Sequence, residues 1–225
     1  GVCRAMSIVL CLVFALSGAS ALLFETLWFR GASLSFGNSV WASAIVLASF
    51  MAGLGIGNAL AARFGPALAR PVRAYAVLEL AIGVSGFSLV LLLPHFGDVL
   101  GPLFGALTDT PWLLNALRVG LAFGILLVPS AAMGATLPLL ADALHARDPR
   151  FARVLGRLYG WNTLGAVVGS LAGEILLLRW LGVRGSGAVA LSGNLVAAGL
   201  ALALSRRLDP GVRAAAPAES RRRLS

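Results

Sequence analysis

Residues 72–93 read VRAYAVLELAIGVSGFSLVLLL, and this stretch decides the class of the fold. It is apolar over the length that a helix needs to cross a bilayer, about 20 residues at 1.5 Å of rise each across about 30 Å of hydrocarbon. A single acidic residue, Glu79, interrupts it. The stretch therefore predicts a membrane-spanning helix.

Five further runs of comparable length lie on either side of this stretch, at residues 5–29, 39–62, 112–140, 154–181 and 185–204. Of the 225 residues, 59% are hydrophobic and 12% are charged, whereas a soluble domain has about 25% charged residues. This composition excludes an ordinary soluble domain. We predict an all-α integral membrane protein with six transmembrane helices in residues 1–205.

The basic residues are all arginine, and their positions predict the orientation in the membrane. The chain has 18 basic and 9 acidic residues, a formal net charge of +9. Fourteen of the 18 arginines fall at the two chain ends and after the second and fourth runs. Because short cytoplasmic loops are enriched in arginine, both termini are predicted to be cytoplasmic. The charge therefore indicates topology and no nucleic-acid partner. Residues 206–225 are predicted to form a disordered basic tail, and residues 94–111 a long exterior loop.

The first run also has features of a signal peptide. Arg4 precedes the apolar stretch, and Ala19-Ser20-Ala21 has the small-x-small pattern of a cleavage site. Cleavage there would leave five spans, although the apolar run continues to Phe24. Sequencing of the mature amino terminus would separate the two interpretations.

Charged and polar groups within the runs are the candidate functional residues. Each charged group costs about 2.5–3.5 kcal/mol at mid-helix unless it finds a partner or water. Glu79 is predicted about 9 Å from the cytoplasmic edge of its run. The other charges fall toward the exterior: Glu25, Arg30, Arg118, Glu174 and Arg179. They are either structural ion pairs or the lining of a ligand site. The candidate ligand-binding residues are Glu25, Glu79, Arg118, Asn162 and Glu174.

Glycines recur at the four-residue spacing that allows helix backbones to approach closely. The positions concerned are Gly53, Gly57, Gly165, Gly169 and Gly173. We expect them to pack helices, either as ordinary seams of a bundle or as the sliding surfaces of a transporter.

Motifs for catalysis are missing from the sequence. It contains no Walker loop, no His-Glu-x-x-His and no serine elbow. We therefore expect no catalytic residue, metal or cofactor, and no enzyme activity in this chain by itself.

Several segments together resemble the membrane half of bacterial fused major-facilitator/spermidine synthase proteins. They are Ser17-Gly18-Ala19, residues 24–30 (FETLWFR), 133–138 (MGATLP), 156–165 (GRLYGWNTLG) and 181–185 (LGVRG). The resemblance implies six helices similar to one half of a major-facilitator bundle in the bacterial cytoplasmic (inner) membrane. It also implies a separate or missing aminopropyltransferase domain, since the sequence after Ser205 contains none.

The resemblance further implies a non-catalytic, transporter-like or anchoring module that handles polyamines or related cations. Glu25, Glu79 and Glu174 would then bind the amines, and Asn162 would supply a hydrogen bond. Arg63 and Arg157 would act as a cytoplasmic gate or anchor, although Ala62 stands where the facilitator signature has an acid before Arg63. Expected partners are the bilayer and either further copies of the chain or other membrane subunits. The alternative is a structural subunit that packs through its glycine-rich faces in a larger complex.

Overall fold

The structure is a computed structural model that describes residues 2–36, 40–145 and 151–209, and all of the regular structure in these ranges is helical. Six α-helices are joined by short connections, one 3-10 turn and one π-helical segment. In chain order they are α1 (Val2–Phe36), α2 (Val40–Phe64), the 3-10 turn (Gly65–Ala67), α3 (Pro71–Ala106), α4 (Pro111–His145), α5 (Phe151–Ala172), the π-helical segment (Gly173–Leu177) and α6 (Leu178–Leu208). The all-helical prediction is confirmed for the described residues. Arg147, Arg150 and the basic tail from residue 210 onward lie outside them.

Five continuous helical stretches are long and apolar enough to cross a membrane. They are Ile8–Ala32, Ser43–Ala67, Pro71–Ala106, Pro111–Ala141 and Arg153–Arg206. The last has 54 residues and would be about 80 Å long if it were straight, far more than the roughly 30 Å of a bilayer core. It is interrupted at Gly182, where φ is 66° and ψ is −174°. Only glycine adopts this backbone conformation readily.

The chain reverses direction at Gly182. Before the break, Gly165, Gly169 and Gly173 meet Ala15, Ala19 and Leu23 of α1 in ascending order, so α5 runs parallel to α1. After the break, Gly187 meets Phe87 and Val90 of α3, while Asn194 meets Gly83. The numbers rise in α6 as they fall in α3, so residues 183–208 run antiparallel to α3. Because Trp28 of α1 contacts Gly86 and Phe14 stacks on Tyr75, α1 and α3 are parallel.

The predicted packing glycines lie at seams inside this bundle. A Cβ atom at Gly165 or Gly169 would overlap the backbone of α1, and one at Gly57 would overlap the backbone of Ala131 in α4. Gly134 of α4 approaches Leu54 of α2 in the same way. Backbones in direct contact gain dispersion energy without a side chain between them. Glycine therefore determines how closely α1 approaches α5 and α2 approaches α4.

The outward surfaces of the helices are apolar. Val77, Val84, Val168 and Ile175 are among many large apolar side chains that are more than half exposed. Such a surface favours aggregation in water and is compatible with a lipid environment.

The predicted exterior loop at residues 94–111 is wrong, because α3 continues through Pro94 and Pro102 to Ala106. Each proline removes one backbone hydrogen bond and does not by itself end the helix. Phe96 and Phe104 pack against the main apolar core, which holds this extension in place. Only residues 107–110 remain as a turn, where the Thr108 hydroxyl donates to the Gly105 carbonyl oxygen at 2.8 Å.

Replacement of Gly165 by alanine tests the α1–α5 seam. Gly165→Ala forces the new methyl group into the Ala15 backbone, and we expect a loss of about 1–3 kcal/mol in unfolding free energy. Gly160→Ala on the same helix has open space at its Cβ. It should be neutral or stabilising by up to about 1 kcal/mol, because alanine favours helix. Reversible unfolding in detergent micelles measures both, and equal effects would contradict the seam.

Candidate functional site

Glu79 of α3 lies at the centre of a polar cluster formed by three helices. The Ser17 hydroxyl of α1 donates a hydrogen bond to one Glu79 carboxyl oxygen at 2.5 Å. The Asn194 side-chain amide of α6 donates to the other carboxyl oxygen at 3.2 Å. Glu79 and Asn194 are completely buried. We call Ser17, Tyr75, Glu79 and Asn194 the Glu79 cluster.

The cluster retains unused hydrogen-bonding capacity. The Tyr75 hydroxyl lies close to the Glu79 carboxyl group and to Ser17, and the buried Asn194 Oδ1 atom has no hydrogen-bond partner among the described residues. The Tyr75 ring stacks on Phe14 of α1, with 5.6 Å between the ring centroids. No cation forms an ion pair with Glu79 in the described part of the chain. Neutral donors therefore surround this carboxyl group, and the cluster holds α1, α3 and α6 together.

Glu79 stands out in the sequence as a buried charge, whereas no role was predicted for Ser17 or Asn194. Asn194 interrupts an apolar run in the same way as Glu79 does in its own, and this was the available signal. The sequence of one apolar run does not show which helices will be its neighbours. The pairing of these side chains could therefore not be predicted. Because the cluster is sealed, a ligand as large as a polyamine has no access to Glu79 in this conformation.

A second group of polar residues lines an open groove of about 490 Å³ between α1, α2 and the end of α5. We call it the acidic groove. Its lining comprises Leu22, Glu25, Thr26, Phe29, Arg30, Ser43, Ser170 and Glu174. Glu174 lies in the π-helical segment. Irregular helical turns of this type are frequent at functional sites.

The acidic groove carries a net negative charge. Arg30 and Glu174 form an ion pair with 3.9 Å between Nη1 and Oε2, and both side chains are more than half exposed. Glu25 forms no hydrogen bond or ion pair with any described residue. Two carboxylates and one guanidinium group thus share the groove with three hydroxyl-bearing residues. Carboxylate and hydroxyl oxygens accept hydrogen bonds from ammonium groups, so the groove fits a cationic amine.

The remaining residues predicted from the sequence lie in neither the Glu79 cluster nor the acidic groove. The Arg118 guanidinium group of α4 lies over the Phe104 ring of α3, 5.2 Å from its centroid. The Asn162 carbonyl packs against Gly18 in the α1–α5 seam. Arg63 lies over the Phe64 ring at the end of α2, and Arg157 is exposed on α5. Thus Glu25 and Glu174 come together, whereas Glu79, Arg118 and Asn162 are apart from them.

The described residues contain no group of three or more histidine, cysteine, aspartate or glutamate side chains that could hold a metal ion.

The chain is similar to bacterial polyamine aminopropyltransferases. It is 33% identical over 202 residues to the Corynebacterium efficiens protein, covering 87% of this chain and 35% of that protein. It is 31% identical over 197 residues to the proteins from Mycobacterium tuberculosis and Mycobacterium bovis, covering 85% of this chain and 35% of each. The chain thus spans about a third of the length of the curated relatives that it matches. No protein-family model and no solved structure matches it.

Removal of the Glu79 carboxyl group tests the cluster. Glu79→Ala removes the carboxyl acceptor of Ser17 and Asn194 and leaves Asn194 only its long hydrogen bond to the Glu79 backbone carbonyl, at 3.4 Å. A buried polar group that loses its partner costs about 1–3 kcal/mol. We expect the unfolding free energy in micelles to fall by at least about 2 kcal/mol. Glu79→Gln keeps an oxygen acceptor and should lose less. The control Glu174→Ala removes an exposed acid and should cost less than about 1 kcal/mol. Equal losses for Glu79→Ala and Glu174→Ala would refute the proposed role.

Proposed function

We propose that this chain is a non-catalytic membrane module of a spermidine synthase-like protein, and that its acidic groove binds polyamines or related cationic amines. One observation carries the family assignment: the similarity covers most of this chain but only about a third of each polyamine aminopropyltransferase. The matching third consists of apolar helices. Aminopropyl transfer then belongs to the remaining two thirds of those relatives.

The module crosses the bacterial cytoplasmic membrane six times in this proposal, with both termini in the cytoplasm. The reversal at Gly182 supports the sixth crossing, because it divides the 54-residue helical stretch into two pieces of membrane-spanning length. The parallel arrangement of α1, α3 and α5 agrees with alternating crossings. The arginine distribution supports the orientation.

Cysteine labelling of intact cells tests this topology. In a background with Cys3→Ala and Cys11→Ala, single cysteines are introduced by Leu68→Cys, Asp109→Cys or Arg184→Cys. A membrane-impermeant maleimide should label the proteins carrying Asp109→Cys and Arg184→Cys, and should spare Leu68→Cys until the cells are opened. If residues 153–206 made one crossing, Arg184→Cys would lie within the bilayer and would remain unlabelled.

The charge and lining of the acidic groove support amine binding. Its volume of about 490 Å³ lies within the roughly 300–1,000 Å³ common for small-molecule sites. Glu25 and Glu174 offer two anionic ends, while Leu22 and Phe29 provide apolar wall for the methylene chain of a polyamine. Amine groups separated by methylenes match this alternation of charge and apolar surface. If the module only anchors the protein in the membrane, it needs this amine binding and its insertion in the bilayer but no transport of the amine.

Spermidine titration into the chain in lipid nanodiscs tests the groove. Glu25→Gln and Glu174→Gln each remove one carboxylate, and a charge-assisted hydrogen bond contributes about 1.5–3 kcal/mol. We therefore expect each variant to bind spermidine at least about tenfold more weakly by calorimetry. Asp109→Asn is the matched control, because Asp109 lies in the exposed turn between α3 and α4, and it should bind as the unchanged chain does. No binding by the unchanged chain, or equal weakening in all three variants, would refute the groove.

A structural role in a larger complex is the second candidate. Gly165 and Gly169, which under this alternative would pack against partner subunits, instead pack against α1 of the same chain. Gly120 and Gly124 of α4, in contrast, are exposed with open space at both Cβ positions. A second copy or another membrane subunit would pack on this face. The oligomeric state in mild detergent distinguishes the two proposals, provided that spermidine binding is measured on the same sample.

A further inference from the structure

A second groove lies between the start of α3 and the end of α6, at the end of the bundle that is remote from the acidic groove. Its volume is about 700 Å³, and its lining comprises Arg73, Gly199, Leu202, Ala203, Ser205 and Arg206. We call it the arginine groove. Each of the two antiparallel helices contributes one arginine to its polar end.

Asp209 positions the α3 side of this groove. Its Oδ1 atom accepts a hydrogen bond from the Val72 backbone amide at 3.1 Å, which caps the first turn of α3. Its Oδ2 atom lies 3.9 Å from Arg73 Nε. The Asp209 side chain is 4% exposed, whereas that of Arg73 is 45% exposed. The carboxylate is therefore buried, whereas the Arg73 side chain remains partly accessible.

The groove has an excess of positive charge. Arg206 is exposed, and in the described part of the chain it forms no ion pair. The two guanidinium groups are therefore balanced by one carboxylate, that of Asp209, which pairs with Arg73. An anion bound between Arg73 and Arg206 would balance the remaining charge, and a phosphate group matches guanidinium donors in geometry.

Away from the two arginines, the groove is lined by Gly199, Leu202 and Ala203. Gly199 has open space where a Cβ would be, and Leu202 is 43% exposed. An anionic head beside an apolar channel is the shape of a phospholipid and not that of a free anion. Basic pockets between membrane helices at the cytoplasmic side are suited to anionic headgroups.

We propose that the arginine groove binds an anionic phospholipid, with its phosphate between Arg73 and Arg206 and an acyl chain along Gly199 and Leu202. This proposal rests on the membrane location proposed above but requires no polyamine binding. Failure of the spermidine experiment would therefore leave it intact.

Native mass spectrometry of the full chain in detergent, with added phosphatidylglycerol or phosphatidylcholine, tests the proposal. We expect phosphatidylglycerol to bind more tightly, and Arg206→Gln to weaken it about fivefold, the effect of about 1 kcal/mol per arginine near a lipid surface. Arg73→Gln is less informative, because it also leaves Asp209 unpaired. Arg179→Gln, an exposed arginine before the Gly182 break, is the matched control and should bind as the unchanged chain does.

Two further measurements distinguish a bound phospholipid from a bound phosphate ion. Gly199→Leu fills the apolar channel without changing the charge, and should weaken phosphatidylglycerol binding as well. Inorganic phosphate at millimolar concentration should not displace the lipid. Equal binding of the two lipids, equal losses in Arg206→Gln and Arg179→Gln, or displacement by phosphate would each overturn the proposal.

Discussion

Helices surrounded by lipid gain little from hiding apolar side chains against one another, because the lipid tails are equally apolar. Close backbone contact and directional hydrogen bonds must therefore hold such a bundle together. In this chain glycines bring α5 onto α1 and α4 onto α2, while Ser17 and Asn194 join α1 and α6 to Glu79 of α3. Both kinds of contact are specific in position. The acidic and arginine grooves lie between these helices.

The acidic side chains illustrate how location decides chemistry. Glu79 is sealed among neutral donors and acts on the packing of three helices. Glu25 and Glu174 line an open groove, where their charge is available to a ligand. Asp209 is buried, pairs with Arg73 and caps α3. Acidic side chains thus have three different roles in this chain: Glu79 links helices, Glu25 and Glu174 are candidate binding groups, and Asp209 caps a helix.

Residue patterns predicted part of the candidate site. Because position along a span translates into depth, Glu25, Arg30 and Glu174 were expected in one layer, and the structure brings them into one groove. Arg118 was expected in that layer too; it lies over the Phe104 ring and does not line the groove. Depth does not tell which helices are neighbours or which way a side chain faces. The loop prediction at residues 94–111 failed for a related reason, since the sequence does not show that Phe96 and Phe104 pack against the core.

The sequence by itself determined the helical, membrane-compatible class, because long apolar runs leave the backbone few other ways to satisfy its hydrogen bonds in lipid. It also determined where close contact is possible, since only small residues permit it. Only the tertiary structure decided that Glu79 meets Ser17 and Asn194, that Glu25 meets Glu174, and that Arg73 meets Asp209. These pairs join residues far apart in the chain, and their contacts depend on the rotation and neighbours of each helix, which no single run encodes.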